Sequence, residues 1–241
     1  MEVLGLRSAL SMVIASALLV SACAQSRSTD PTAPITPPPP ATTAVAARCD
    51  DGVTEPPPAS AESITRSEGD FDGDGRVDVV EVYLYGGEWW ARTTLDGGYA
   101  AEVSLGNVAI AYALGGLDLD GSGDEFFAVI GSGASATIIG IYTMAGCEPV
   151  SVLDAAGTPV AIPIGASAVN QSGLRCIPGV GIDVFTQSTS DGVTYRQTVE
   201  RFGLADGRLV SEGSVKATLI EPDDRNRILD ASRFDCDGLS L

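Results

Sequence analysis

Residues 70–78 read DFDGDGRVD, and 48 positions after Asp70 a second stretch, 118–125, reads DLDGSGDE. Nothing else in the chain limits its fold as much. Asp70, Asp72 and Asp74 alternate with Phe71 and Gly73, and Gly75 permits a sharp turn, so a tight loop brings the three carboxylates together. Converging carboxylates repel one another unless a cation lies among them. The backbone carbonyl of Arg76 adds an oxygen and Asp78 closes the shell, giving the all-oxygen donor set that suits Ca2+.

The flanks decide what kind of loop this is. DFDGDGRVDVVE also satisfies the EF-hand spacing, with Glu81 at the twelfth position. An EF-hand needs a helix on each side, whereas Val79 to Tyr85 is rich in Val and Tyr and alternates with period two. Val80, Val82 and Leu84 fall on one face, and Glu81, Tyr83 and Tyr85 on the other. In the second loop the twelfth residue is Val129, which cannot serve as a ligand.

Strand texture continues along the chain. Val193, Tyr195, Gln197 and Val199 alternate with polar residues, and Asp96-Gly97, Asp191-Gly192 and Asp206-Gly207 are hairpin signals, since a two-residue turn needs positive φ. Phe126 to Ile130 is apolar throughout, as in a strand buried on both faces. The one helix expected is short, near Arg225 to Ser232. Gly131-Ser-Gly133 and Gly179-Val-Gly181 open no helix and read as bulges or turns.

A DxDxDGxxD loop joining two strands resembles the FG-GAP or VCBS-type repeats of integrin-like propellers, over roughly Ser63 to Tyr142. Carried over by position, the resemblance makes Asp70, Asp72, Asp74 and Asp78 side-chain ligands to Ca2+ and Arg76 a carbonyl ligand. In the second loop Asp118, Asp120 and Ser122 match, while the closing acid, Glu125, arrives one residue early. The spacing between the loops is about one four-stranded unit. The next register falls near Ala166, where Val169 to Cys176 (VNQSGLRC) reads as a degenerate third unit with a cysteine staple replacing the acidic loop. The architecture expected over 61–241 is therefore all-β, a propeller-like array of about three to four antiparallel four-stranded repeats in one compact domain.

Ahead of that domain, the apolar run Ala9–Val20 reads as a secretory signal over 1–22. Val20-Ser21-Ala22-Cys23 resembles the lipobox of bacterial lipoproteins, which implies a diacylglyceryl group on Cys23 and a place on the outer face of the cytoplasmic membrane or in the cell envelope. Residues 23–60, rich in Pro, Thr and Ala, read as a tether, of which Ala24 to Ala46 alone spans up to roughly 70 Å if extended as polyproline II. The remaining cysteines, Cys49, Cys147, Cys176 and Cys236, are even in number and suit two disulfides in an oxidising compartment. Three pairings are open. The favoured one joins the neighbours Cys147 and Cys176, and ties the domain's two ends through Cys49 and Cys236.

Composition narrows the partners. With 14 Lys and Arg against 32 Asp and Glu, a formal charge of −18, the chain lacks the basic clusters that nucleic acid or anionic lipid requires. It has no histidine, which removes Ser-His and Cys-His nucleophile systems. Trp89 and Trp90 are adjacent, so in a strand one ring enters the core and the other, with Tyr83 and Arg92, forms a candidate recognition surface. These features give a membrane-anchored, non-catalytic calcium-binding module for a protein or glycan. The alternative is a cell-wall glycan hydrolase using paired carboxylates, with Glu81, Glu88 and Asp96 as candidates.

Overall fold

The structure, a computed structural model, describes Cys49 and residues 56–241. The signal segment, Cys23 and the tether up to residue 48 lie outside the described residues, as do residues 50–55. Strands β1 (Glu62–Gly69), β2 (Asp78–Tyr85), β3 (Glu88–Thr94) and β4 (Ala100–Gly106) form an antiparallel four-stranded meander in chain order. A second run follows: β5 (Tyr112–Asp118), β6 (Asp124–Ser132), β7 (Ala136–Ala145) and the short β8 (Glu148–Ser151). Each acidic loop joins the first two strands of its run, closed by the pairs Gly69–Asp78 and Asp118–Asp124. Strands on both sides of each loop bear out the choice against an EF-hand.

Beyond β8 the four-strand period ends. β9 (Ala161–Ala166) pairs with the first half of β7, whose second half pairs with β8. β10 (Asn170–Ile177), β11 (Gly181–Thr189), β12 (Thr194–Ala205) and β13 (Arg208–Ile220) then extend the same antiparallel sheet. This second sheet has ten strands, is curled as a half-barrel, and does not divide into blades of four. Asp206 and Gly207 form the β12–β13 turn with φ of 51° and 69°, as the Asp-Gly signal predicts. A short helix, α1 (Arg225–Asp230), and a two-residue strand, β14 (Phe234–Asp235), end the chain.

Strand β6 is where the sheets share a core. Phe127 and Val129 pack with Ile139, Ile141, Leu174 and Ile182, while Phe126 and Ala128 face the other way, toward Phe71, Val80, Val82 and Ala91. Phe126 stacks on Tyr142 at 4.6 Å and meets Phe71 edge-on at 6.1 Å. Full burial of such a side chain stabilises by about 1.5–3 kcal/mol. Among the described residues β13 forms an edge of the sheet; it carries a bulge opposite Arg201 and Phe202, which leaves Glu212 out of the ladder, and the chain's only lysine, Lys216, and both features discourage edge-to-edge association.

Two expectations need correction. Val169 to Cys176 is not a degenerate loop but almost all of strand β10, with Leu174 and Cys176 buried on the core face and Arg175 on the other. The disulfides pair Cys49 with Cys147 and Cys176 with Cys236, at Cα separations of 5.6 and 4.6 Å. β14 runs parallel to β10, setting Phe234 beside Leu174 and Asp235 beside Arg175, so Cys236 arrives next to Cys176. Cys147 lies in the β7–β8 turn and takes Cys49 instead. The first segment is therefore tied to a hairpin turn and not to the C-terminal segment.

Candidate metal centre

Each loop is held by a buried acid at its far end. In the first loop Asp78, 1% exposed, accepts from the Phe71 amide through Oδ2 at 2.8 Å and from the Asp96 amide through Oδ1 at 2.9 Å. In the second loop Glu125, also 1% exposed, accepts from the Leu119 amide through Oε2 at 2.9 Å and from the Thr143 hydroxyl through Oε1 at 3.2 Å. Phe71 and Leu119 are equivalent: each follows the first aspartate of its loop and is buried in the core. The second loop is one residue shorter, and the extra methylene of Glu125 makes up the difference.

The first aspartates do equivalent work. Asp70 Oδ2 accepts from the Gly75 amide at 2.9 Å, and Asp118 Oδ1 accepts from the amides of Asp120 and Gly121. Asp72 accepts from the Asp74 amide at 3.2 Å, and Asp120 accepts from the Ser122 amide and hydroxyl. The result is two clusters, Asp70 with Asp72 and Asp78, and Asp118 with Asp120 and Glu125, whose ligand atoms lie within 4.8 Å of one another in each. Asp74 stands outside the first cluster. Its carboxylate is paired with the Arg76 guanidinium, which also reaches Asp96 at 2.8 Å, and Ser122 spends its hydroxyl on Asp120.

Both clusters could hold a metal ion. One sign of fit is Asp70 Oδ1, which is buried and has no hydrogen-bond partner among the described residues, so its lone pairs are available to a cation. The donor set is oxygen throughout, so the ion it suits is a hard one. Electrostatics agree: burial, then the charge of Asp74, raises the pKa of Asp72, and burial raises those of Asp78 and Asp124. Burial also pushes Glu125 up to about 7. Arg76 holds Asp74 below the ordinary carboxylate range, which marks it as the partner of a cationic side chain.

The two loops are interlocked, a relationship that sequence reading missed. The Asp124 amide donates to the Asp70 carbonyl at 2.7 Å, and Asp124 Oδ2 accepts from the Asp70 amide at 2.8 Å. A Cβ on Gly73 would stand 2.1 Å from the Ser122 carbonyl, so glycine is what lets the loops touch. Beside them a cavity of about 200 Å3 is lined in part by Asp72, Ser122, Glu125 and Thr143.

The tryptophans divide as expected. Trp89 is 6% exposed and donates its indole N–H to the Val108 carbonyl at 3.0 Å. Trp90 faces the other side, where it lines a cavity of about 240 Å3 with Tyr83, Tyr85, Arg92, Glu102 and the prolines Pro56 and Pro58. Glu102 accepts there from the Tyr83 hydroxyl at 2.6 Å and from Arg92 at 3.2 Å. The candidate hydrolytic acids take separate partners: Glu88 accepts from Ser104, and Asp96 pairs with Arg76. Glu81 lies beside Arg66 and Arg92 on the neighbouring strands. Comparison of the chain with protein-family models, with curated proteins and with solved structures finds no match.

Proposed function

We propose that this chain is a non-catalytic, calcium-stabilised β module of the cell envelope, anchored through a lipidated Cys23 and presenting a surface to a protein or glycan. The observation that carries the reading is the interlocked pair of acidic loops, with the buried Asp70 Oδ1, unpartnered among the described residues, in the first. Ca2+ would be held by Asp70, Asp72 and Asp78 in one loop and by Asp118, Asp120 and Glu125 in the other. Its role would be to neutralise carboxylates that the fold has drawn together. The disulfides fit an oxidising, extracytoplasmic setting. The aromatic cleft around Trp90 and Tyr85 supplies the binding face, since flat amphipathic rings beside Arg92 and Glu102 suit either a sugar or a peptide. Co-sedimentation of the mature domain with envelopes of the cell that makes it is the test. Binding that chelator abolishes and Trp90→Ala weakens, with no reducing sugar released, supports the module; release of reducing ends overturns it.

A further inference from the structure

The only helix among the described residues is spent on one face of the large sheet. Ile228 of α1 packs on Tyr195 and Leu219, and two buried glutamines of the sheet hold the helix backbone: Gln187 Nε2 donates to the Ile228 carbonyl at 3.4 Å and Gln197 Nε2 to the Arg227 carbonyl at 3.3 Å. The chain then returns as β14 beside β10. The Leu174 amide donates to the Arg233 carbonyl at 2.9 Å, and the Cys176–Cys236 disulfide locks the strand in place. Gly173 admits this crossing, because a Cβ there would stand 2.8 Å from the Arg233 carbonyl.

Helix, β14 and sheet line an open cavity of about 410 Å3 whose wall is held by these contacts. Phe185 and Val199 give it an apolar floor, and Arg175, Arg227 and Arg233 stand around it with Asp230 and Asp235. More bases than acids is the inverse of this chain's composition. Arg175 lies over the Phe185 ring at 5.4 Å and is oriented by the buried Asp183, which a second arginine, Arg201, also satisfies. Arg227 and Arg233 meet their own carboxylates, Asp224 and Asp230, only at 3.3 Å and with both arginine side chains well exposed. Exposed pairs of that kind are weak and exchange readily for a better-placed anion. Guanidinium forks above an apolar floor select a flat body bearing a planar anionic head.

We propose that this cavity is a binding site for a small organic anion of aromatic-carboxylate type, its ring against Val199 and beside the Arg175-covered Phe185, and its carboxylate between Arg175, Arg227 and Arg233. The site is separate from the acidic loops and does not require their metal. Benzoate is the probe and benzamidine, the same ring with a cationic head, its control, both titrated by calorimetry into the oxidised domain. The expected result is one saturable benzoate site, benzamidine at least about tenfold weaker, and a similar loss of benzoate affinity in the double variant Arg227→Gln, Arg233→Gln with unchanged melting. Val199→Phe, which fills the floor without touching a charge, should also block benzoate. Failure of benzoate to saturate at millimolar concentration, equal binding of the two probes, or full affinity in the arginine variant overturns the proposal.

Discussion

Asp70 and Asp124 hold each other by a reciprocal pair of backbone-anchored hydrogen bonds, one from the Asp70 amide to Asp124 Oδ2 and one from the Asp124 amide to the Asp70 carbonyl. Asp124 belongs to neither acidic cluster, yet it fixes the backbone of the first aspartate in the first one. A cation ordering one loop therefore orders part of the other, which is a coupling free energy. Asp124→Ala should destabilise the domain by about 1–2 kcal/mol. It should also weaken calcium binding at both loops, while Asp124→Asn, which keeps an acceptor oxygen, should do less of each. Calorimetric titration of the three proteins checks this; an Ala variant that binds as the parent does would show the loops to be independent.

The same contact separates two glycines of the first loop. Gly73 and Gly75 have φ of 71° and 84°, but a Cβ on Gly75 meets nothing within 4 Å, whereas one on Gly73 strikes the Ser122 backbone. Gly75→Ala should cost about 1 kcal/mol of backbone strain. Gly73→Ala should cost more than about 2 kcal/mol, since backbone atoms must move. Urea melts of the two variants read the difference directly.

What the sequence shows well is what depends on near neighbours. Period-two alternation marks β2 and β12, Asp-Gly marks the turns, and the spacing of Asp70, Asp72 and Asp78 or of Asp118, Asp120 and Glu125 marks each cluster. What it hides depends on which distant segments meet. Cys236 reaches Cys176 because two residues of β14 pair with β10, and no local pattern announces so short a strand. The long β7 pairs with both β8 and β9, which carries the sheet past the four-strand period that the loop spacing suggests. Asp74 fits its motif position but is taken by Arg76, a competition between neighbours that spacing alone does not resolve.

Burial raises the Glu125 pKa from 4.5 to about 7, so the cation-free native state keeps a proton in that window that the unfolded chain has released. Stability then falls as pH rises through the window, because the native state binds more protons there. The acids held low, Asp74, Asp183 and Asp191, titrate below 3.8 and contribute their pH dependence elsewhere. A bound cation requires the Glu125 carboxylate, so calcium binding should release a proton and tighten over the same range. Thermal melts at about pH 5 and about pH 7.5 should show the chelated domain less stable at the higher value and the calcium-loaded domain not so. Glu125→Gln should flatten the chelated trend.

The disulfide pattern predicts which segments come apart together. Non-reducing peptide mapping should give a Cys49–Cys147 peptide and a Cys176–Cys236 peptide. On chain-entropy grounds the second bridge, across 60 positions, restrains the unfolded chain by roughly 4 kcal/mol. The double variant Cys176→Ser, Cys236→Ser should lose roughly that stability and expose amides near Arg233 to exchange before those of β6. A Cys147–Cys176 peptide would contradict the pairing.

Calcium itself should stabilise the oxidised domain, because a ligand bound only by the native state adds to its stability by mass action. At about 1 mM calcium and a site Kd of roughly 10⁻⁴ M, typical of weak extracellular sites, the gain is about 1.4 kcal/mol per site. The aspartates of the first loop should then differ. Asp72 lies in the cluster, so Asp72→Ala should remove most of that loop's share of the rise in Tm. Asp74 is engaged with Arg76 outside the cluster, so Asp74→Ala should leave most of the share in place, although the sequence motif ranks the two alike. Asp120→Ala and Glu125→Ala should remove the second loop's share. Scanning calorimetry with calcium and with chelator measures each case. Identical melting of the parent domain in both conditions would remove the metal from the account, whereas equal losses for Asp72→Ala and Asp74→Ala would mean that Asp74 leaves Arg76 when the ion binds.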